Sequence, residues 1–408
     1  MKILLLTQWY PPEPGVLFQE LAQTLQAKAH DVTVLTGFPN YPSGKLYPGY
    51  RLRLYQRETL AGVPVIRVPL YLDHSLSSFK RVLNYVSFAF SSSILGFWLA
   101  PRPDVIFVYH PPLTIGLPAW ILSRLWRVQF VYQIQDMWPE TLIATGMIKS
   151  RHLLSMTGRF AQWVYSRAHS ILVISPGFRK NLIAKDISAE KVRVISNWIE
   201  DDVSEKPEPD TQLAQKWGLA GRFNIMFAGN IGEAQGLETV LAAAKLLEGL
   251  PEIQFVFIGD GIALSRLKKT ASTQLISNVC FLGRFPHDAM PGLYTLADVL
   301  LVHLRDDPLF RITIPHKILS YMGSGKPILA ALAGDGADLV TTAGAGISCP
   351  PGKPEALAMA VRDFLRMSAE ERRAMGDRGL RAVRTVYSRE ALVGEIEKVL
   401  IQALMLGC

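Results

Sequence analysis

A glycine-containing segment at residues 229–236 has the composition of a phosphate-binding loop. An apolar run at 223–228 precedes it and predicts a strand, and helix-spaced apolar residues follow it at 237–247. Backbone N–H groups that no side chain covers, together with the positive end of a helix, attract phosphate oxygens. The three glycines match neither the dinucleotide fingerprint nor the P-loop. Phosphate binding and a purely geometric turn are therefore both open at this point.

Three side chains in the first half of the chain could take part in acid–base chemistry. His110 directly follows a strand pattern and precedes two prolines, which places it at a strand's carboxyl end, although a lone histidine is usually structural. Asp136 and Glu140 lie four residues apart after another strand pattern and could orient an acceptor hydroxyl or its proton. Equally, Asp136 could cap a helix whose dipole favours acidic residues in its first turn.

The elements that position these residues alternate between strand and helix patterns along both halves of the chain. Strand patterns occur at residues 1–7, 31–36, 63–68, 104–109, 128–134, 170–174, 191–195, 223–228, 253–258, 278–282, 298–302 and 327–332. This alternation predicts an α/β protein with parallel, doubly wound sheets.

The predicted domains follow from the same pattern and from a change in composition. Residues 1–200 form a first Rossmann-like domain, the acidic and proline-bearing segment 201–212 a linker, and 213–385 a second Rossmann-like domain. A last helix at 386–408 could pack back on the first domain. Ligands bind beyond the carboxyl ends of parallel strands, so two such domains facing each other across a deep cleft would enclose two substrates.

The positive charge of the chain is concentrated in its first half. Residues 1–200 contain 21 Lys and Arg against 11 Asp and Glu, whereas 201–408 contain 22 against 24. Aromatic residues interleaved on a nucleic-acid-binding fold are missing, so an anionic membrane surface is the expected partner and nucleic acid is not. A merely solvated basic face is the alternative.

One segment is long and apolar enough to span a bilayer. Residues 82–101 carry no charge, yet they contain Asn84 and four serines and have basic residues at both ends. A buried helix packed on the sheet, an interfacial helix in one leaflet and a true membrane span are all open readings.

Cysteine usage and the amino terminus indicate a reducing compartment. Cys280, Cys349 and Cys408 have no spacing typical of a zinc site or a disulfide framework. The first strand turns at QWYPPEPG too early for a secretory segment, so a cytoplasmic protein is expected.

The motifs also carry a family resemblance over nearly the whole chain. They are QWYPPEPG, AHDVTVLTG, PDVIFVYHPP, ISPGFRKNLIAKDISAEKVRVISNW, GNIGEAQGLETVLAAA, FIGDG, FLGRFP and IPHKILSYMGSGKPILA. In this order they resemble the retaining glycosyltransferases of family 4, which have the two-domain GT-B fold. QDMWPE together with GNIGEAQG resembles the WbuB-type branch, bacterial transferases that build O-antigen and exopolysaccharide repeat units.

The resemblance implies a nucleotide-sugar site in the second half. In the family, an Arg and a Lys of the glycine loop neutralise the donor diphosphate, and Asn230 and Gln235 stand at those positions here. A charge-assisted hydrogen bond is about twice as strong as a neutral one, so a cation is expected from elsewhere. The candidates are Arg284, Arg311 and Lys317.

Further donor contacts are implied at Gly236, Gly259, Asp260 and Gly261, although Asp260 could be a turn residue only. The family's paired glutamates, which hold the donor sugar and the ribose, fall near Ile312 and Ser320, and neither is acidic. The branch's Pro-Ser-Lys element falls at 315–317, with His316 in place of Ser. Lys317 is therefore expected to contact the diphosphate, with a surface lysine at a helix start as the alternative.

For the first half, the resemblance implies that His110 touches the transferred sugar and that Gly15 lets the loop after the first strand approach the donor phosphates. The expected function is transfer of a sugar from a nucleoside-diphosphate sugar, in the first place a UDP-sugar, to a lipid-diphosphate-linked saccharide. The reaction is expected to retain the anomeric configuration and to need no metal or other cofactor. The protein would act at the inner face of the cell membrane as a peripheral protein.

Two other functions fit the same expected fold. A nucleotide-sugar epimerase would share the architecture and the donor, and a catalytically silent scaffold of a polysaccharide assembly complex would explain the missing glutamates. An NAD-dependent oxidoreductase would need a G-x-G-x-x-G fingerprint with an acidic residue about 20 positions further on, and neither half has one.

Overall fold

The computed structural model describes residues 1–73, 77–144, 148, 150–199, 208 and 210–406. It consists of two compact units, Met1–Asn197 together with Glu390–Cys408, and Trp198–Arg389. Each unit is built around a parallel sheet, to which the first unit adds one antiparallel edge strand at Gln56–Leu60, and this confirms the predicted α/β fold class.

The first unit contains an eight-stranded sheet in the order β3-β4-β2-β1-β5-β6-β7-β8. Its strands are β1 Lys2–Leu6, β2 Asp31–Gly37, β3 Gln56–Leu60, β4 Val63–Val68, β5 Val105–His110, β6 Gln129–Ile134, β7 Ser170–Val173 and β8 Val192–Val194. Its first helices are α1 Val16–Ala27, α2 Ser78–Leu99, α3 Gly116–Trp126, α4 Glu140–Ala144, α5 Arg151–Arg167 and α6 Pro176–Ala184. Central strands such as β1 are apolar on both faces because helices cover both sides of a parallel sheet.

The second unit contains a six-stranded, all-parallel sheet in the order β11-β10-β9-β12-β13-β14. Its strands are β9 Phe223–Ala228, β10 Ile253–Ile258, β11 Val279–Gly283, β12 Val299–His303, β13 Ile328–Ala331 and β14 Gly346–Cys349. Its helices are α7 Thr211–Lys216, α8 Glu238–Leu246, α9 Leu264–Thr273, α10 Met290–Tyr294, α11 Pro308–Arg311, α12 His316–Gly323, α13 Asp335–Thr342, α14 Pro354–Arg366 and α15 Ala369–Thr385.

The last helix, α16 Arg389–Met405, belongs almost entirely to the first unit. Its Glu397 accepts from Lys28 at 3.0 Å and lies 2.7 Å from His30 Nε2, and both partners follow α1. The predicted linker 201–212 lies mostly outside the described residues. The second unit resumes at α7, whose first turn is capped by Asp210 through a 2.9 Å bond from Leu213 N.

Helix α2 packs on the first sheet with Asn84, Ser92 and Ser93 inward. Asn84 is fully buried, accepts from Gln8 Nε2 at 2.6 Å and donates to Tyr71 O at 2.6 Å. The opposite face is apolar and exposed, with Phe90 67% and Trp98 77% accessible. Among the described residues, α2 is the one helix long and apolar enough to cross a membrane. Within its most apolar stretch of 18 residues, 39% is buried. The buried polar contacts show that α2 is part of the fold of the first unit.

Candidate active site

The glycine loop after β9 lies directly against the loop after β10. Gly229 N donates to Ile258 O at 2.9 Å and Ile231 N donates to Asp260 O at 2.8 Å. A Cβ at Gly259, whose φ is +133°, would lie 1.9 Å from Gly229 O, and a Cβ at Gly261 would lie 2.3 Å from Ile231 O. Both positions therefore require glycine, because a side chain would separate the two loops.

Lys317 lies beneath this pair of loops, in the first turn of α12. Its Nζ is buried and has no hydrogen-bond partner among the residues that the structure describes. The ammonium lies 3.8 Å from the centre of the Phe227 ring, and a Cβ on Gly229 would be 3.2 Å from Nζ. Burial lowers the pKa of Lys317 to about 7. A buried cation without an anion, at the carboxyl end of β9, has the properties of an anion-binding group.

The rest of the glycine loop is fixed by its own contacts. Gln235 Oε1 accepts from Gly232 N at 3.1 Å, and Gln235 O contacts Nδ1 of the buried His303. Gly236 has a φ of +56° and leaves no room for a Cβ, which would lie 2.7 Å from Arg305 Cγ. His303 was not predicted as a site residue, although its place directly after the strand pattern at 298–302 was a signal for it.

The other predicted donor residues differ in their surroundings. Arg311 forms a bidentate ion pair with Asp306 at 2.8 and 2.9 Å, and the bond from Arg311 lowers the pKa of that carboxyl. Arg284 is exposed after β11, and His316 Nε2 lies 3.2 Å from Trp198 O. Ser320 lies one helical turn after Lys317, on the same face of α12. The guanidinium of Arg311 already has a carboxylate partner, whereas Lys317 meets the glycine loop directly.

Two further predicted donor residues border the contact between the loops. Asn230 is exposed, and its Oδ1 would lie 2.8 Å from a Cβ at Gly261. Asp260 is also exposed and accepts from Gly261 N at 2.7 Å, a bond within its own turn. Asn230 therefore keeps an exposed amide beside the site, whereas one oxygen of Asp260 serves the loop.

In the first unit, His110 ends β5 and is completely buried. Its ring centre lies 5.8 Å from that of Tyr132 and 5.8 Å from that of Trp138, which stands nearly perpendicular to it. Neither ring nitrogen has a hydrogen-bond partner within the described part of the chain. Burial lowers the pKa of His110 to about 3, so the imidazole is neutral near pH 7. Two buried ring nitrogens without a partner make His110 a candidate for contact with a polar ligand.

The two predicted carboxylates have different partners. Glu140 accepts from Lys185 Nζ and from Asn181 Nδ2, the latter at 3.2 Å, which ties α4 to α6. Asp136 is largely buried, which raises its pKa. Burial also raises the pKa of Tyr85 and of Tyr109, and the charge of Asp136 adds to both shifts. Asp136 therefore lies among the residues around His110, whereas Glu140 takes part in a structural ion pair.

Arg81, in α2, is a further residue of this region. It lines a cavity of about 340 Å³ together with Tyr85 and Trp138. Burial raises the pKa of Tyr85, and the charge of Arg81 opposes that rise whereas Asp136 adds to it. Sequence reasoning treated Arg81 only as a flanking charge of an apolar segment, because nothing in the sequence indicates that it meets Trp138.

Gly15 precedes α1 with a φ of +152°, and a Cβ there would meet nothing within 4 Å. The backbone at this helix start is open, and the expected approach of the donor phosphates to Gly15 stays a prediction. Among the described residues, no group of three or more His, Cys, Asp or Glu side chains could hold a metal ion.

Comparison with known proteins gives the same two-part division. Residues 14–198 match the family described as Glycosyl transferase 4-like domain, and residues 210–381 match Glycosyl transferases group 1. The colanic acid biosynthesis glycosyl transferase WcaI of Escherichia coli (strain K12) is 29% identical over 379 residues, covering 90% of this chain and 92% of WcaI. The glycosyltransferase WbjE of Pseudomonas aeruginosa is 28% identical over 290 residues, covering 70% of this chain and 72% of WbjE.

Among solved structures, Anabaena HepE in complex with UDP superposes with a TM-score of 0.74 at 18% identity, covering 98% of this chain and 100% of HepE. HepE has also been solved in complex with UDP-glucose. At this identity the similarity establishes the GT-B fold.

Proposed function

This chain pairs a glycosyl transferase 4-like domain with a glycosyl transferases group 1 domain, and we propose that it transfers a sugar from a UDP-sugar to a lipid-diphosphate-linked saccharide. The reaction proceeds with retention, as in the WbuB-type branch of family 4, and serves assembly of a bacterial O-antigen or exopolysaccharide. The similarity to WcaI, named for colanic acid biosynthesis, supports the class of product. The fold shared with HepE, which was solved with UDP and with UDP-glucose, supports the class of donor.

The observation that carries this proposal is the buried ammonium of Lys317 beneath Gly229. The donor diphosphate binds at the open backbone of the glycine loop, and Lys317 neutralises part of its charge. As the sugar leaves, negative charge builds up on the diphosphate, and a cation already in place stabilises that charge without reorganisation. This assignment makes the reaction independent of a metal ion.

Residues of the first unit bind the acceptor and the transferred sugar. The neutral ring of His110 has one N–H to donate and one nitrogen to accept, which suits a sugar hydroxyl. Asp136, with a pKa raised by burial, orients the acceptor hydroxyl.

The protein acts in the cytoplasm as a peripheral membrane protein. The exposed apolar face of α2 and the excess of basic residues over 1–200 support contact with an anionic leaflet.

Calorimetric titration with UDP, GDP and ADP, each with and without magnesium, tests the donor site. We expect micromolar binding of UDP that does not depend on magnesium. Lys317→Ala should weaken it by about 10- to 100-fold, whereas Lys216→Ala, at an exposed lysine of α7 in the same unit, should leave it unchanged. Equal binding by Lys317→Ala, or no binding of any nucleoside diphosphate by the wild-type protein, would contradict the proposal. Product analysis with UDP-sugars and lipid-linked acceptors then distinguishes transfer from epimerisation.

A further inference from the structure

We propose that Arg81 and an apolar groove between α2, α3 and α5 bind the lipid part of the acceptor. The guanidinium of Arg81 holds the lipid's phosphate, and the groove holds one polyprenyl-type hydrocarbon chain. This inference rests on the proposed function and specifies the acceptor side of it.

The groove consists of two adjoining apolar cavities in the first unit. The first, of about 340 Å³, is lined by Arg81 and by apolar side chains such as Leu113 and Met156. The second, of about 520 Å³, is lined by side chains such as Phe90 and Leu125. Thr114 and Phe160 line both cavities, so the two adjoin, and together they are called the track.

One end of this track lies at the candidate acceptor site. Arg81 and Trp138 line the same cavity, and the Trp138 ring is 5.8 Å from that of His110. Arg81 Nε is buried, and no described residue accepts a hydrogen bond from it. A buried guanidinium N–H without an acceptor is costly, and a phosphate oxygen is a partner that guanidinium groups bind well.

The charge of the three helices complements an anionic lipid head. Neither α2, α3 nor α5 contains an Asp or a Glu, whereas together they contain six Lys or Arg. The basic residues are Lys80, Arg81, Arg124, Arg151, Arg159 and Arg167. An anion at the Arg81 end is therefore opposed by no carboxylate from these helices.

The shape of the track favours a single chain over the general surface of a bilayer. From Arg81 to Trp98 it follows α2 for about 25 Å, at about 1.5 Å per helical residue. It is a narrow groove with a charged group at one end, which matches a chain that carries a phosphate at one end. Contact with a bilayer alone would depend equally on outward residues such as Phe79, which is 76% exposed and does not line the groove.

Calorimetric titration of the full-length protein with farnesyl diphosphate, inorganic diphosphate and farnesol tests the inference. Farnesyl diphosphate should bind at least about tenfold more tightly than either part alone, and geranylgeranyl diphosphate about tenfold more tightly again, since each added isoprene unit buries more apolar area. Arg81→Gln should weaken farnesyl diphosphate at least about tenfold and leave farnesol unchanged. Met156→Glu should weaken both prenyl compounds, and Phe79→Glu, at an exposed position of α2 outside the groove, should weaken neither. Thermal melts of the three variants verify that each one folds.

Two results would overturn the inference. One is binding of farnesyl diphosphate no tighter than that of inorganic diphosphate, and the other is an equal loss on Phe79→Glu and Met156→Glu, which would assign this face to bilayer contact. UDP titration of the same samples separates the two proposals. Failure to bind UDP contradicts the proposed function, whereas intact UDP binding without farnesyl diphosphate binding contradicts this inference alone.

Discussion

Replacing Lys317 with Met should stabilise the ligand-free protein while weakening its diphosphate binding. Burial lowers the pKa of Lys317 from 10.5 to about 7. At about 1.4 kcal/mol per pKa unit, holding the charged lysine in the folded protein at pH 7 costs about 4 kcal/mol. Methionine fills a similar volume without charge. Since about 1 kcal/mol shifts the melting temperature of a domain of this size by roughly 2–4 °C, we expect an increase on the order of 10 °C for the second unit.

The pH dependence of this effect follows from the direction of the shift. The pKa of Lys317 is lower in the folded than in the unfolded protein, so the unfolded state binds more protons between about pH 7 and 10.5. The contribution of Lys317 to the free energy of unfolding therefore rises with pH across that window. The advantage of Lys317→Met should be largest at pH 7 and below, and should disappear near pH 10.5.

The assay is denaturant and thermal unfolding of both proteins from pH 7 to pH 10, together with UDP titration at pH 7. UDP affinity should fall by about 10- to 100-fold, the usual cost of losing a hydrogen bond to a charged group. Lys216→Met, at an exposed position, should change neither property. If Lys317→Met is less stable than the wild type at pH 7, or if the difference does not change with pH, the ammonium is not an uncompensated buried charge.

Three further predictions concern the loop contact, His110 and α2. Gly259→Ala places a Cβ 1.9 Å from Gly229 O, so it should lower the free energy of unfolding by more than about 2 kcal/mol and abolish UDP binding. Gly249→Ala meets nothing within 4 Å and should be neutral in the same denaturant titrations. His110→Phe keeps the ring packing but loses both nitrogens, so kcat should fall at least about tenfold without loss of stability, and an unchanged kcat would exclude His110 from the transfer step. Phe79→Glu should reduce sedimentation with anionic vesicles at low salt, and equal sedimentation of both proteins would assign the exposed start of α2 to another partner.

Most of the strands could be predicted from the sequence because they are buried on both faces. Strands such as β1 and β9 are unbroken apolar runs, and each is covered by helices on both sides. The two strands that were missed, β3 and β14, are edge strands. The sequence of β3 is QRETL, with alternating exposed side chains, and that of β14 is GISC, with a glycine and a serine. Edge strands need little apolar surface, so periodicity gives little signal for them.

For the site, local sequence was enough to locate the glycine loop, His110 and Lys317, because each directly follows or begins a recognisable element. What these residues do electrostatically depends on neighbours far away in the chain. Glu140 is paired by Lys185, which lies 45 residues further on, and Lys317 is next to Gly229, where no carboxylate of the described residues pairs it.

Helix α2 shows the same division between local pattern and tertiary structure. Its length and apolar composition follow from the sequence, and they are equally compatible with a core helix, an interfacial helix and a membrane span. Only the tertiary structure turns Asn84 inward to Gln8 and brings Arg81 to the cavity beside Trp138. Hydrophobic periodicity indicates which residues are buried. The partners of a buried side chain come from distant segments of the chain, and these partners determine its charge state, its pKa and what it can bind.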